Sequence, residues 1–307
     1  ESGHFATLWR DLANRLGFRA EFIDGDWRNP INPSLLENLL VDDSAGEIKA
    51  VCIVHNETST GMVNDIGAVR NVMDSSGHDA LLMVDTISGL GSIEYSHDKW
   101  GVDVTIAGSQ KGLMMPPGLS FNAISAKAKE LSKYSKTAKS YWSWAEMLKM
   151  NETGYFPYTP ATNLLYGLKE AITMLNEEGL ENVFARHARL AEATRRAVRA
   201  WDLEIVCSDN EARSNVLTAI YVPEGHNADA LRSVILENFN MSLGNGLGKV
   251  AGKVFRIGHL GDFNELMLSG TLCGVEMGLG LSGIPHKKNG VSVALDYLAH
   301  GGNAAPE

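Results

Sequence analysis

The sequence predicts an α/β fold, a mostly parallel sheet flanked by helices, followed by a smaller C-terminal α+β domain. Three observations carry this reading. Two apolar runs, Ala80–Val84 and Val102–Ala107, have strand length and no polar–apolar alternation, the pattern of strands buried on both faces of a parallel sheet. Helical and strand-like stretches alternate through the first part of the chain, the order of βαβ units with right-handed crossovers. Beyond Ala161, two long helical patterns are followed by short strands and further helices.

Phe5, Leu8, Leu12 and Leu16 fall at helical spacing before Gly17, which predicts a helix over Phe5–Leu16. Arg19–Ile23 reads as a short strand, and Asn32 or Ser34 can cap a helix over Leu35–Val41. Ile48–Val54 reads as a buried strand that releases the polar run His55–Gly61; Asp65 then caps a helix that stops near Gly77. After the strand at Val102–Ala107 come a loop holding Lys111, a strand over Leu119–Ile124 and a basic helix over Lys127–Lys139. Tyr141–Trp144 and Gly154–Pro160 are rich in aromatics and proline, unsuited to regular structure and suited to contacts between parts. Helices are expected over Ala161–Glu178 and Leu180–Trp201, then strands at Glu204–Cys207, Val216–Val222 and Val254–Ile257. Further helices are expected at Ala228–Asn238, Glu265–Leu279 and Val291–Leu298, with a frayed tail, GGNAAPE. The division expected is a large domain over 1–179 and a small one over 180–307, joined by a bridging helix.

A formal charge of −10 argues against a nucleic-acid surface, which needs clustered Lys and Arg. No apolar run reaches the roughly 18–20 residues of a membrane span. Cys52, Cys207 and Cys273 are far apart in apolar surroundings, as expected of buried free thiols in the cytoplasm. The histidines show no metal-ligand spacing, so no metal site is expected.

Asp85 ends the first apolar run, and the second delivers Ser109, Gln110 and Lys111 into a loop closed by Gly112, Pro116 and Pro117. Open α/β sheets bind ligands outside the carboxyl ends of their strands. A lysine drawn out of water there is a nucleophilic amine suited to Schiff-base chemistry. A carboxylate beside it suits the pyridine nitrogen of pyridoxal phosphate, which it keeps protonated as an electron sink. Arg256, in the apolar context VFRIG, needs a partner, either an internal acid or a bound carboxylate that matches its planar fork. The glycine-rich stretch Gly246–Gly252 lacks the preceding strand and following helix of a dinucleotide loop and reads as a loop that positions Arg256.

The run VDTISGLGSIEYSHDKWGVDVTIAGSQKGLMMPPGL resembles the class V aminotransferases, in particular the serine–, alanine– and aspartate–glyoxylate group. The likeness continues in His55–Gly61, Tyr158-Thr159-Pro160, Gly179–Val183 and Lys253–Gly261. The resemblance implies a pyridoxal-phosphate enzyme of fold type I, a homodimer with active sites at its interface, and amino-acid and 2-oxo-acid substrates. Carried onto this sequence, it implies Lys111 as the Schiff-base lysine and proton carrier and Asp85 as the partner of the ring nitrogen. Phe5 would stack on the ring, Thr58 would bond near the phenolic oxygen and Gln110 would reach the phosphate. Tyr158 and Thr159 would reach the phosphate of the partner subunit's site, and Arg256 would clamp the substrate α-carboxylate.

Two rivals stand beside this reading. Related enzymes carry a Pro-Gly-Pro turn and a phosphate-cradling Gly-Thr-Gly loop N-terminal to the matching region, and neither occurs here. The N-terminal part of the large domain is therefore expected to be missing, weak cofactor binding is expected of these residues alone, and a catalytically silent, dimerising fragment is the second reading. The third is another pyridoxal-phosphate reaction, of lyase or desulfurase type. Desulfuration needs a cysteine on a mobile loop, whereas Cys52 and Cys207 fall on expected strands and Cys273 on a helix.

Overall fold

Strand β1 (Ala50–Val54) begins the main sheet of the computed structural model, which describes residues 1–300. β1 pairs in parallel with β4 (Leu81–Asp85), and β4 in parallel with β5 (Val104–Gly108). β6 (Ser120–Ile124) closes the edge antiparallel to β5. Between β1 and β4 lie a small hairpin, β2 (Asn56–Glu57) with β3 (Met62–Val63), and helix α3 (Ile66–Ser75). Asp65 caps α3 by accepting from the Ala68 N–H at 2.9 Å. Leu82, Val84, Val69 and Met73 are buried together between sheet and helix.

Two further helices precede this sheet. α1 (His4–Arg15) matches the expected leucine stripe, and α2 (Pro33–Asp42) is capped by Asn32, whose side chain accepts from the Ser34 N–H. The expected strand at Arg19–Ile23 is absent: the segment is irregular, with no neighbouring strand to take its backbone groups. Nor are the main-sheet strands buried on both faces. Leu81 and Met83 are half-buried and Cys52 is exposed, because one face opens onto a cavity of about 1250 Å³ lined by α1, α2 and β1. Enough protein surrounds the Cys52 thiol for burial to raise its pKa to about 11. Cys273 is also exposed, which corrects the expectation of three buried thiols; Cys207 is buried.

The basic helix, α4, is limited to Ala126–Ser132. Past it, Lys133, Lys136 and Lys139 leave few acids to pair along a helical face. A helix not anticipated, α5 (Trp144–Asn151), follows, and α6 (Thr162–Glu178) and α7 (Leu180–Ala200) meet at Gly179. The C-terminal sheet is antiparallel, in the order β7 (Glu204–Ile205), β8 (Leu217–Tyr221), β10 (Val254–Gly258), β9 (Gly244–Asn245). Helices α8 (Ala228–Phe239), α9 (Glu265–Leu281) and α10 (Gly290–Ala299) join α7 around one core that includes Leu190, Trp201, Phe255 and Leu272. The expected frayed tail lies outside the described residues.

Candidate active site

The site grows from the carboxyl ends of β4 and β5. Asp85 is the last residue of β4 and is buried, 6% exposed. Its Oδ1 accepts from the Ile87 N–H at 2.9 Å and its Oδ2 from the Trp9 indole N–H at 3.0 Å. Burial nevertheless raises its pKa above the ordinary carboxylate value, against the pull of those two donors.

Lys111 stands three residues past β5, in a loop fastened at both ends by Ser109. The buried Ser109 hydroxyl donates to the Pro116 carbonyl at 2.8 Å and accepts from the Leu119 N–H at 3.2 Å. A tight turn follows, with the Met114 N–H donating to the Lys111 carbonyl at 2.8 Å and Met114 itself at φ 58. Gly112 makes that turn fit. A Cβ there would stand 2.1 Å from the Leu90 carbonyl oxygen and 2.6 Å from the Ser92 hydroxyl. The loop thus packs backbone to backbone against the segment after Asp85, which sets the lysine beside the acid's strand. Burial, and then the charge of Arg256, lower the pKa of Lys111.

Arg256 comes from β10, opposite Gly244 of β9. Its Nε donates to the Asn245 carbonyl at 2.8 Å and its Nη1 to the Thr58 carbonyl at 2.9 Å. No ion pair to Arg256 occurs among the described residues, so its tethers are backbone carbonyls rather than an internal acid. Nη2 has no partner there, leaving that edge of the fork for a planar anion. Burial lowers its pKa, with the neighbouring Arg232 charge adding to the effect.

Phe5 and Thr58 approach from the other side. Glu57 of β2, fully buried, accepts from the Phe5 and Ala6 N–H groups at 3.1 and 3.2 Å, and the Ser59 hydroxyl accepts from the His4 N–H at 2.9 Å. These side chains satisfy the free N–H groups at the start of α1, which Gly3 cannot do. Phe5 therefore enters the helix where β2 ends, one residue before Thr58. Four residues on, Trp9 reaches Asp85 from the same helical face.

Gln110 is exposed, its side chain folded back towards Gly108. Tyr158 and Thr159 are exposed too and line a separate depression with Tyr155, Phe156 and Leu165. No hydrogen bond joins them to Lys111, Asp85 or Arg256. Sequence reasoning missed Trp9 and Glu57. The former carried a faint signal, its i+4 spacing from Phe5; the latter, an acid flanked by small polar residues, gave none beyond its resemblance.

The donor set fits one kind of group. Asp85 is a buried carboxylate whose hydrogen-bond partners are neutral, and Lys111 is a half-buried amine with no acid paired to it among the described residues. Together they suit a ligand with a cationic ring nitrogen and a carbonyl carbon, as in pyridoxal phosphate. A family model for class-V aminotransferases matches residues 1–260. The chain belongs to that family. It is 47% identical to a serine–glyoxylate aminotransferase of Methylorubrum extorquens, over 96% of this chain and 75% of that protein. Another, from Arabidopsis thaliana, is also 47% identical, over 97% of this chain and 75% of the plant protein. The crystal structure of ureidoglycine–glyoxylate aminotransferase from Bacillus subtilis superposes with a TM-score of 0.89 at 25% identity, covering 97% of this chain and 77% of that one. The class-V aminotransferase is thus a pyridoxal-phosphate enzyme of fold type I. Among its described residues no cluster of metal-binding side chains occurs, and no helix is long and apolar enough to cross a membrane.

Proposed function

We propose that this aminotransferase moves the amino group of a small amino acid, serine, alanine or aspartate, to glyoxylate or a similar 2-oxo acid. The observation that carries the reading is that Asp85 ends β4, the Lys111 loop after β5 packs against the segment following Asp85, and the charge of Arg256 acts on Lys111. The glyoxylate-using relatives support it. Bound there, pyridoxal phosphate supplies the electron sink for the pair left when the substrate's α-proton departs. Asp85 would face the ring nitrogen and favour its protonated state. Nζ of Lys111, whose charged form burial disfavours, would hold the cofactor and then carry the substrate's α-proton to the cofactor carbon it had held. Arg256 grips the α-carboxylate and so fixes which bond at the α-carbon faces the ring. Phe5 would cover the ring, Thr58 would bond near the phenolic oxygen, and Gln110 would turn from Gly108 to reach the phosphate.

Tyr158 and Thr159 act in the site of a second copy in a homodimer. Their exposure, with Tyr155 at 67% and Trp142 at 75%, supports that reading, and sedimentation analysis checks it. The chain divides at Gly179 into a cofactor-carrying part, residues 1–179, and a C-terminal part, 180–307; the self-contained core around Trp201 and Phe255 supports the division. Three unpaired cysteines support a place in the cytoplasm.

Amino transfer from serine, alanine and aspartate to glyoxylate is the test, with Arg256→Lys as the probe. A lysine loses the planar fork, so kcat/KM should fall about 10- to 100-fold for every donor. Unchanged kcat/KM would overturn the clamp, and no transfer from any of the three donors would overturn the substrate reading.

A further inference from the structure

Trp9 lies 76 residues from Asp85 in sequence, yet its indole N–H meets Asp85 Oδ2 at 3.0 Å. Three features distinguish this from an incidental contact. The indole is a donor only, so it stabilises the carboxylate as an anion and never competes for the proton that Asp85 must leave on a ligand. It completes a two-point hold, because Oδ1 is already occupied by the Ile87 N–H at 2.9 Å; with one donor on each oxygen, the plane of the carboxylate is fixed. Finally, the helix that carries Trp9 is itself anchored at its start, by the buried Glu57 carboxylate and the Ser59 hydroxyl on the His4, Phe5 and Ala6 N–H groups. A Cβ on Gly3 would stand 2.4 Å from the Ser59 hydroxyl, a measure of how closely that anchor fits.

We propose that Trp9 is the positioning residue that orients Asp85 towards the ring nitrogen of the cofactor and keeps it anionic in a buried place. The proposal rests on the reading that Asp85 pairs with that nitrogen. Trp9 touches neither substrate nor the reacting atoms in this scheme. Its ring also forms part of the wall of the large cavity, so loss of the whole side chain would disturb packing as well as the hydrogen bond. Trp9→Phe separates the two, since it keeps an aromatic ring and removes the donor.

The experiment is a binding titration on the full chain with two probes, pyridoxal phosphate and its 1-deaza analogue, in which carbon replaces the ring nitrogen. If Trp9 acts through Asp85 and that nitrogen, Trp9→Phe weakens pyridoxal phosphate about tenfold and leaves the deaza analogue unchanged, the loss expected for one hydrogen bond to a charged group. A purely structural role weakens both probes alike, and that result overturns the proposal, as does no change with either. Asp85→Ala serves as the reference. Should it weaken both probes alike, the pairing of Asp85 with the ring nitrogen falls, and this inference with it. Discrimination by Asp85→Ala without discrimination by Trp9→Phe overturns the role of Trp9 alone.

Discussion

Asp85 and Lys111 are both drawn out of water, which moves the acid's pKa up and the amine's down. Both were legible in the sequence, because a polar residue at the tip of an apolar run is a local signal. The hold on Asp85 was not, since nothing in either segment announces that an indole 76 positions away will find it. Burial acts on two histidines in a way that reaches stability. His55 is pushed down to about 4 and fully buried His259 to about 3, in both cases chiefly by burial. The His259 ring lies between the Thr218 hydroxyl at 3.0 Å and the Asn215 carbonyl at 3.1 Å, a setting that suits the neutral form with the proton on Nδ1. The unfolded chain takes up these protons near the ordinary histidine value of about 6.5, while the folded chain refuses them until much lower pH. Stability is therefore complete above about pH 6.5 and falls by about 1.4 kcal/mol per pH unit for each histidine as pH drops toward 4. Thermal melting at about pH 7.5 and about pH 5 checks this. A melting temperature equal or higher at the acid end would contradict it.

At the scale of elements, the catalytic geometry depends on how loops close over strand ends. β1, β4 and β5 were legible from composition to within a residue or two, because parallel strands in a core have few alternatives to aliphatic side chains. Arg19–Ile23 shows the limit of such reasoning: strand propensity without a neighbour to pair with gives no strand. The aromatic start of α5 hid a helix for the opposite reason, since bulky rings weaken the helical signal. Gly112 is where an element-scale test is sharpest. In Gly112→Ala the new methyl meets the Leu90 carbonyl, so the Lys111 loop must shift away from the segment after Asp85. Overpacking of this kind costs about 1–3 kcal/mol, and we expect a lower melting temperature together with at least a tenfold loss of turnover. A variant that melts lower but turns over at the wild-type rate would show that the loop is not what sets the lysine.

Across the whole molecule, the proposed site draws on residues spread along most of the chain: Phe5 and Trp9 from the first helix, Asp85 and the Lys111 loop from the main sheet, Arg256 from the C-terminal sheet. Arg256 also ties the C-terminal sheet to the β2–β3 hairpin, because its Nη1 reaches the carbonyl of Thr58 beyond β2. That link could not be read from VFRIG, which says only that an arginine in an apolar strand must find partners. The exposed aromatics near Tyr158 line a separate depression. All of this turns on Lys111 as the point where the cofactor is held. Borohydride reduction of the protein in the presence of pyridoxal phosphate, followed by peptide mass mapping, tests it most directly. The expected result is a phosphopyridoxyl mass on the peptide containing Lys111, abolished in Lys111→Ala. The same mass on another lysine, with Lys111 unmodified, would contradict it.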